Sequence, residues 1–464
     1  MNRCFARVVC AYALLALAAC SVGPAYKRPD IPAPAEWREA PASDAVGIWP
    51  SADWWHGFGS PRLDELVAEA EHSNDDLAVA IARVQEADAQ ARIAGAALLP
   101  SLDFSADATR QRGQLANVQR PGTFNSFAPE LTASYELDFW GKNRALKEAA
   151  RATAIASHYD KETVALTVIS SVATTYFQAL EFRDRLRVAS ENLVNGEKIL
   201  HGLQLQQTAG IATGLDVAQQ ETTVALLSAA IPPLQQQFRQ AVNALAVLVG
   251  KTPESIDVDT GTLNALTTPQ IVAGLPSQLL ARRPDVAESE QQLISANANI
   301  TVARAALFPN IQLTASGGYA SSALASLVSP ANRIWAVSAG LTQPIFHGGA
   351  LRGQVVFSNA HYRELLSAYH KAVISAFSNV ENALVAAQQT QEQQIRQQEA
   401  VNRARRAFQF AQRQMSAGTA NILTVLNTEN ALFSAQDELV QIQYLHLQSM
   451  VDLYTALGGG WQQG

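Results

Sequence analysis

The sequence predicts a mainly α-helical chain, interrupted twice by a pair of β-strands, with one plan used in both halves. Three observations carry this reading: an internal repeat at a long offset, four stretches of alternating apolar and polar residues, and two long stretches free of proline. Ala97-Leu98-Leu99-Pro100-Ser101-Leu102 recurs as Ala306-Leu307-Phe308-Pro309-Asn310-Ile311, 209 residues on. Ala209-Gly210 through Leu215, Val217 and Glu221 recurs as Ala417-Gly418 through Leu423, Val425 and Glu429, and Leu245 to Gly250 matches Leu453 to Gly458, both at an offset of 208. Several matches at nearly one offset mark a tandem duplication, with a repeat far longer than that of a solenoid.

Each half reads as helix, two strands, long helix, helix. Pro100 ends the first helix, and residues 101–110 then alternate with Leu102, Phe104, Ala106 and Ala108 on one face. Residues 130–139 alternate with Leu131, Ala133, Tyr135, Leu137 and Phe139. In the second half, 310–319 and 334–343 repeat the pattern with Ile311, Leu313 and Ala315, then Trp335, Val337, Ala339 and Leu341. About ten residues is the length a tilted transmembrane strand needs. Residues 141–209 and 348–417 contain no proline, and at ~1.5 Å per residue either spans ~100 Å if continuous. Heptad-like spacing runs through Leu166, Ile169, Ala173, Tyr176 and Leu180, and again through Val373, Phe377, Val380, Leu384 and Ala387. Gly196 and Gly202 mark a plausible break in the first long helix. Residues 163–180 carry no charge, but seven of the 18 are Ser, Thr or Gln, which argues against a membrane helix.

The chain has 464 residues, a net charge of −7, and 48% hydrophobic but only 16% charged residues, against ~25% charged in ordinary soluble domains. The deficit implies that much of the surface faces something other than open water. No Lys/Arg-rich run accompanies the acidic balance, which excludes nucleic acid as a partner. Four lipid-facing strands cannot close a barrel, and an open edge in hydrocarbon strands its backbone groups. Several chains must therefore pool their strands: two copies give a lumen that side chains fill, three give twelve strands and a water path.

All three cysteines, Cys4, Cys10 and Cys20, lie in the first 20 residues. Arg3 and Arg7 precede an apolar stretch that reads as a secretory signal, residues 1–19. Its end, Leu17-Ala18-Ala19-Cys20, resembles a bacterial lipobox, which implies cleavage before Cys20 and acylation of that cysteine, palmitate included. Ser21 in place of an acidic residue directs such an anchor to the outer membrane by the same resemblance. The proline-rich segment that follows reads as an extended arm, so that residues 20–60 form a lipidated N-terminal arm, 61–250 the first repeat, 251–284 a connector and 285–464 the second repeat.

Trp54-Trp55-x-x-Phe58-x-x-Pro61-x-Leu63, Leu279-Leu280-Ala281-Arg282-Arg283-Pro284-Asp285 running on through Glu288 and Ala303 to Phe308-Pro309, and Leu457-Gly458-Gly459-Gly460-Trp461 together resemble the opening, central and closing motifs of the TolC-like outer-membrane efflux proteins, in their lipoprotein branch. By itself, Arg282-Arg283-Pro284-Asp285 also reads as a helix stop followed by an Asp N-cap. The resemblance runs from Cys20 to about Trp461. It implies a homotrimer whose twelve-strand β-barrel in the outer-membrane lipid continues as a long periplasmic α-helical barrel. It also implies two partners, a periplasmic adaptor (membrane fusion) protein and an inner-membrane transporter of the resistance-nodulation-division (RND) type, and a role in antibiotic resistance. The transporter supplies energy and this chain a passive exit duct for drugs or toxic small molecules.

The same resemblance places docking tips at the turns containing Gly210, Thr213 and Gly214, and Gly418 and Thr419. In relatives, a leucine and acidic residues after the second turn constrict the pore. Leu423 matches the leucine, whereas Thr424 and Asn427 stand where relatives carry acids; Asp216 in the first turn supplies an alternative carboxylate, and Arg413 is a candidate lock residue. A weaker block by divalent cations than in acid-ringed relatives is therefore expected.

No enzyme chemistry assembles. Gly250-Lys251-Thr252 lacks the first glycine of a phosphate loop, since Leu245 stands there. There is no His-Glu-x-x-His pattern and no Gly-x-Ser-x-Gly elbow, so neither metal nor cofactor is expected. The rival readings are a similar duct serving protein secretion or metal export, and a non-conducting coiled-coil lipoprotein, which has no need of four strands in duplicate.

Overall fold

The computed structural model describes residues 22–38, 49–113, 122–258, 260–269 and 276–461. In chain order, α1 (Pro61–Ser73) and α2 (Asp75–Ala96) lead into β1 (Ser101–Gly113) and β2 (Gly122–Glu136). Then come α3 (Lys142–Thr208), α4 (Gly214–Ala229) and α5 (Ile231–Leu248). A single turn, α6 (Pro276–Leu279), then precedes the elements of the second repeat: α7 (Pro284–Ala305), β3 (Asn310–Tyr319), β4 (Arg333–Thr342), α8 (Ala350–Ser416) and α9 (Ile422–Ala456). Both long helices, α3 and α8, have 67 residues. The chain divides into two compact units, and each draws on both repeats: Met1–Asp30, Arg83–His158 and Glu288–His370 form one; Ile31–Ala82, Tyr159–Ala287 and Lys371–Gly464 the other.

The first unit holds a single antiparallel sheet in the order β1-β2-β3-β4. β1 pairs with β2 from Ser101↔Ser134 to Gly113↔Gly122, β2 with β3 from Glu130↔Gly318 to Glu136↔Gln312, and β3 with β4 from Asn310↔Thr342 to Tyr319↔Arg333. The central β2–β3 ladder joins the two repeats. Because side chains alternate across a strand, this register sorts the sheet into two chemical faces. Phe104, Leu131 and Trp335 share one row, and Leu102, Ala133, Ala315 and Val337 the next on the same side. Asp103, Thr132 and Ser316, and Ser134, Thr314 and Ser338, lie on the opposite side.

The second strand starts and ends earlier than the alternation over 130–139 predicts. It stops at Glu136 because Asp138 turns its carboxylate to the start of α3, accepting from the backbone N–H groups of Asn143 (2.8 Å) and Arg144 (2.9 Å) and from Arg144 Nε (3.0 Å). Those otherwise orphaned donors of the first helical turn are thereby satisfied. The strand starts at Gly122 because β1 runs on to Gly113 and pairs with it.

The second unit is a bundle whose core joins the opening motif to the closing one. Trp54 stacks on Tyr454 with ring centroids 4.8 Å apart, and Phe58 meets Phe177 edge-on at 5.0 Å. Leu63, Leu66, Val172, Leu180, Leu245 and Val249 fill the space around them and are fully buried. Arg283 is a structural strut: it donates to the Ala456 carbonyl (3.0 Å) and holds Asp285 through two bonds of 2.9 and 2.6 Å. Asp285 is not the N-cap that the sequence suggests. The helix already begins at Pro284, and Asp285 Oδ1 accepts from the neighbouring Val286 N–H. A Cβ on Gly458 would collide with the Arg282 carbonyl, which ties the glycine-rich closing motif to the central one.

No break occurs in α3 at Gly196 or Gly202. Gly196 is instead a point of close packing: a Cβ there would come within 3.1 Å of Leu227 Cδ1. The interruption lies in the return limb, at Pro232 and Pro233, where α4 gives way to α5. The matching limb of the second repeat has Val440 in place of Pro232 and runs as one 35-residue helix.

Candidate functional site

Two features are candidate functional sites: the sheet of the first unit and the paired helical turns of the second. On the sheet, Leu102, Phe104, Trp335, Val337 and Leu341 are all strongly exposed, from 66% to 77%, and they share one face. In a four-stranded sheet whose edges at β1 and β4 pair with no other strand among the described residues, such a face is an interaction surface, and its chemistry is that of hydrocarbon. Strands of 10 to 15 residues suffice to cross that layer.

The two turns repeat one another bond for bond. In the first, Gly210 N–H donates to the Gln207 carbonyl (2.9 Å) and Ile211 N–H to that of Gln206 (2.9 Å). In the second, Gly418 N–H donates to Met415 (3.0 Å) and Thr419 N–H to Gln414 (2.9 Å). Gly210 and Gly418 have φ of +75° and +72°, a left-handed helix end that glycine reaches without steric cost. In both, the next helix starts four residues after the glycine, behind a capping side chain. In the first turn, Thr213 Oγ1 accepts from Asp216 N–H (3.2 Å) while Asp216 Oδ2 accepts from Thr213 N–H (2.8 Å) and Thr213 Oγ1 (2.7 Å), a reciprocal capping box. In the second, Asn421 Oδ1 accepts from the N–H (3.1 Å) and hydroxyl (3.0 Å) of Thr424.

Gly210, Thr213, Gly214, Gly418 and Thr419 are all exposed, as are Leu423, Thr424 and Asn427 along the start of α9. Asp216 is engaged as a cap. The Thr213 hydroxyl and, after it, the Thr213 N–H hold its carboxyl below the usual carboxylate range, so it is charged at neutral pH. Arg413 is exposed in the last turn of α8, where a cation offsets the helix dipole. The sequence-predicted lipidation residue, Cys20, lies outside the described residues. Among the described residues no group of three or more His, Cys, Asp and Glu side chains gathers as a metal site would require.

A pair that sequence reasoning did not single out lies behind the turns. Glu429 on α9 is 3% exposed and Gln220 on α4 is fully buried. Gln220 Nε2 donates to the Gly196 carbonyl (3.0 Å). Among the described residues, Gln220 Oε1 and both carboxylate oxygens of Glu429 have no hydrogen-bond donor. Burial raises the Glu429 carboxyl above the ordinary range; the adjacent Gln220 amide, whose donor is bonded to Gly196, offsets this only in part and makes no hydrogen bond of normal geometry to it. The repeat match equates Glu429 with Glu221, yet Glu221 is exposed; nothing in a match of letters distinguishes the two.

A family model described as outer membrane efflux protein matches residues 66–251 and 275–459. The pyoverdine export outer membrane protein OpmQ of Pseudomonas putida is 41% identical over 455 residues, covering 97% of this chain and 96% of its own. The cation efflux system protein CusC of Escherichia coli is 32% identical over 454 residues, covering 97% of each. The solved outer-membrane channel OprN superposes with a TM-score of 0.90 at 28% identity, over 96% of this chain and all of its own.

Proposed function

This chain belongs to the outer membrane efflux protein family and is an outer-membrane channel of an efflux system, and we propose that it works as a homotrimer, coupled to a periplasmic adaptor and an inner-membrane RND-type transporter, as the passive exit duct for small molecules. The observation that carries the assembly is the open sheet. Four strands with an apolar face and two free edges leave backbone donors and acceptors unpaired in lipid unless neighbouring copies complete the ring. Three copies supply twelve strands, enough for a water-filled lumen. Lipidated Cys20 anchors each arm, residues 61–250 and 285–464 act as the two repeats, and residues 251–284 link them. The turns at Gly210, Thr213, Gly214, Gly418 and Thr419 meet the adaptor. Leu423 narrows the passage there, with Thr424 and Asn427 lending it no negative charge.

The mass of the detergent-purified protein and its conductance in a planar bilayer test this together. Three chains per particle and a steady aqueous conductance are expected; a monomer with a sealed sheet, or particles that insert without conducting, would overturn it. For the cargo, identity favours an exported metabolite of the kind OpmQ's name states, since that relative is 41% identical and the cation-efflux relative 32%. The sequence has no His/Met-rich tract of the kind that would favour metal export. Deleting the gene beside candidate pump genes and measuring retained pyoverdine-like metabolites against retained drugs separates these two cargo classes.

A further inference from the structure

The donor deficit behind the turns has a specific remedy. Gln220 Oε1, Glu429 Oε1 and Glu429 Oε2 are three buried acceptors, and the Gln220 amide already points a donor at Gly196. An ionised carboxylate only accepts, whereas a protonated one donates once. We infer that Glu429 is a proton-binding site: its carboxyl is held neutral in the packed state, donates to Gln220 Oε1, and so fastens α9 to the α3–α4 hairpin just inside the turns.

Among the described residues no opposing charge offers another way to satisfy the group. On α4, the neighbouring Glu221 is exposed; on α3, Glu197 and Lys198 flank Gly196 and His201 lies one turn on, all exposed. On α8, Arg403, Arg405 and Arg406 are exposed. On α9 itself the nearest acid toward the C-terminus, Asp437, lies ~12 Å along the helix and is bound by Arg185 (2.8 Å). A sodium or divalent ion would need more oxygen ligands than one carboxylate and one amide provide. The proton is therefore the ligand that fits. The sign follows: with the carboxyl raised by burial, the packed state binds more protons than the separated one, so the contact is firm in acid and weakens as pH climbs above the ordinary carboxylate range. The segment loosened is the one that carries Leu423 and Asn427.

Infrared spectra of the full-length protein in detergent, recorded across a pH series, read the protonated carboxyl directly. Wild type is expected to show a buried carboxylic-acid C=O band that E429Q lacks. Because the glutamine of E429Q can donate an N–H to Gln220 Oε1, its packing is kept at every pH. Hydrogen exchange over residues 422–432, corrected for its intrinsic pH dependence, should rise up to about tenfold per pH unit between the ordinary carboxylate range and the raised titration of packed Glu429 in wild type, then level off, and should stay flat in E429Q. In Q220M, which removes the acceptor, the acid band should move to the position of a carboxyl without a hydrogen-bond partner. No band lost in E429Q, or the same excess pH dependence in E429Q as in wild type, would overturn the assignment. Neither measurement requires conduction, so the result stands apart from the channel assay.

Discussion

The two helical turns share a backbone and differ in what they do with charge. Both end a 67-residue helix at a glycine with positive φ and restart behind a capping side chain. The first turn closes with a carboxylate, Asp216 against Thr213; the second closes with neutral partners, Asn421 against Thr424. Behind them the assignment reverses. The first repeat exposes Glu221, while the second buries Glu429 against an amide. Duplication has thus preserved the geometry of the turn, which depends on backbone hydrogen bonds, and has left each carboxylate free to take up a different role.

The most disruptive way to break the comparison is to give the second return limb the proline of the first. Val440→Pro places a ring inside α9 at a buried position and should cost ~3 kcal/mol or more, visible as a fall in the thermal midpoint of the purified protein. Restoring a charge to the second turn comes next. Asn427→Asp should make single-channel current several-fold more sensitive to added multivalent cations, an effect of about 1 kcal/mol. Strong block already present in wild type, and abolished by Asn427→Ala, would reject the neutral-gate reading.

Removing either cap should cost ~1 kcal/mol, whether Thr213→Ala or Asn421→Ala, measured as faster exchange of the first amides of the helix that follows. Acid should then separate the two turns. Asp216 titrates below the ordinary carboxylate range, so the help its charge gives is complete above that range and is lost as pH falls through the lowered value; the Asn421 turn should not respond. The smallest effect belongs to Gly196→Ala. Better helix propensity, up to ~1 kcal/mol, offsets a tight contact with the Leu227 methyl, leaving net stability within about 0.5 kcal/mol in chemical denaturation.

The duplication, the four strand segments and the two turns were legible because each rests on local rules. Alternation places side chains on opposite faces of a strand, and Ala-Gly after a long polar helix marks a left-handed stop. The continuous run of α3 through Gly196 was not legible. An isolated glycine reads as a weakness until the Leu227 side chain and the Gln220 amide are seen packed against it. The end of β2 was missed for a similar reason, since Leu137 and Phe139 continue the alternation while Asp138 is taken by helix capping.

What the residues fixed unaided is the order of elements and the incompleteness of the sheet: hydrophobic period, proline placement and strand count are properties of neighbours along the chain. Which of two equivalent glutamates meets water, and which is shut away beside a glutamine, was decided by the packing of α3, α4, α8 and α9. Burial depends on residues hundreds of positions apart, and no local pattern records the absence of a hydrogen-bond donor.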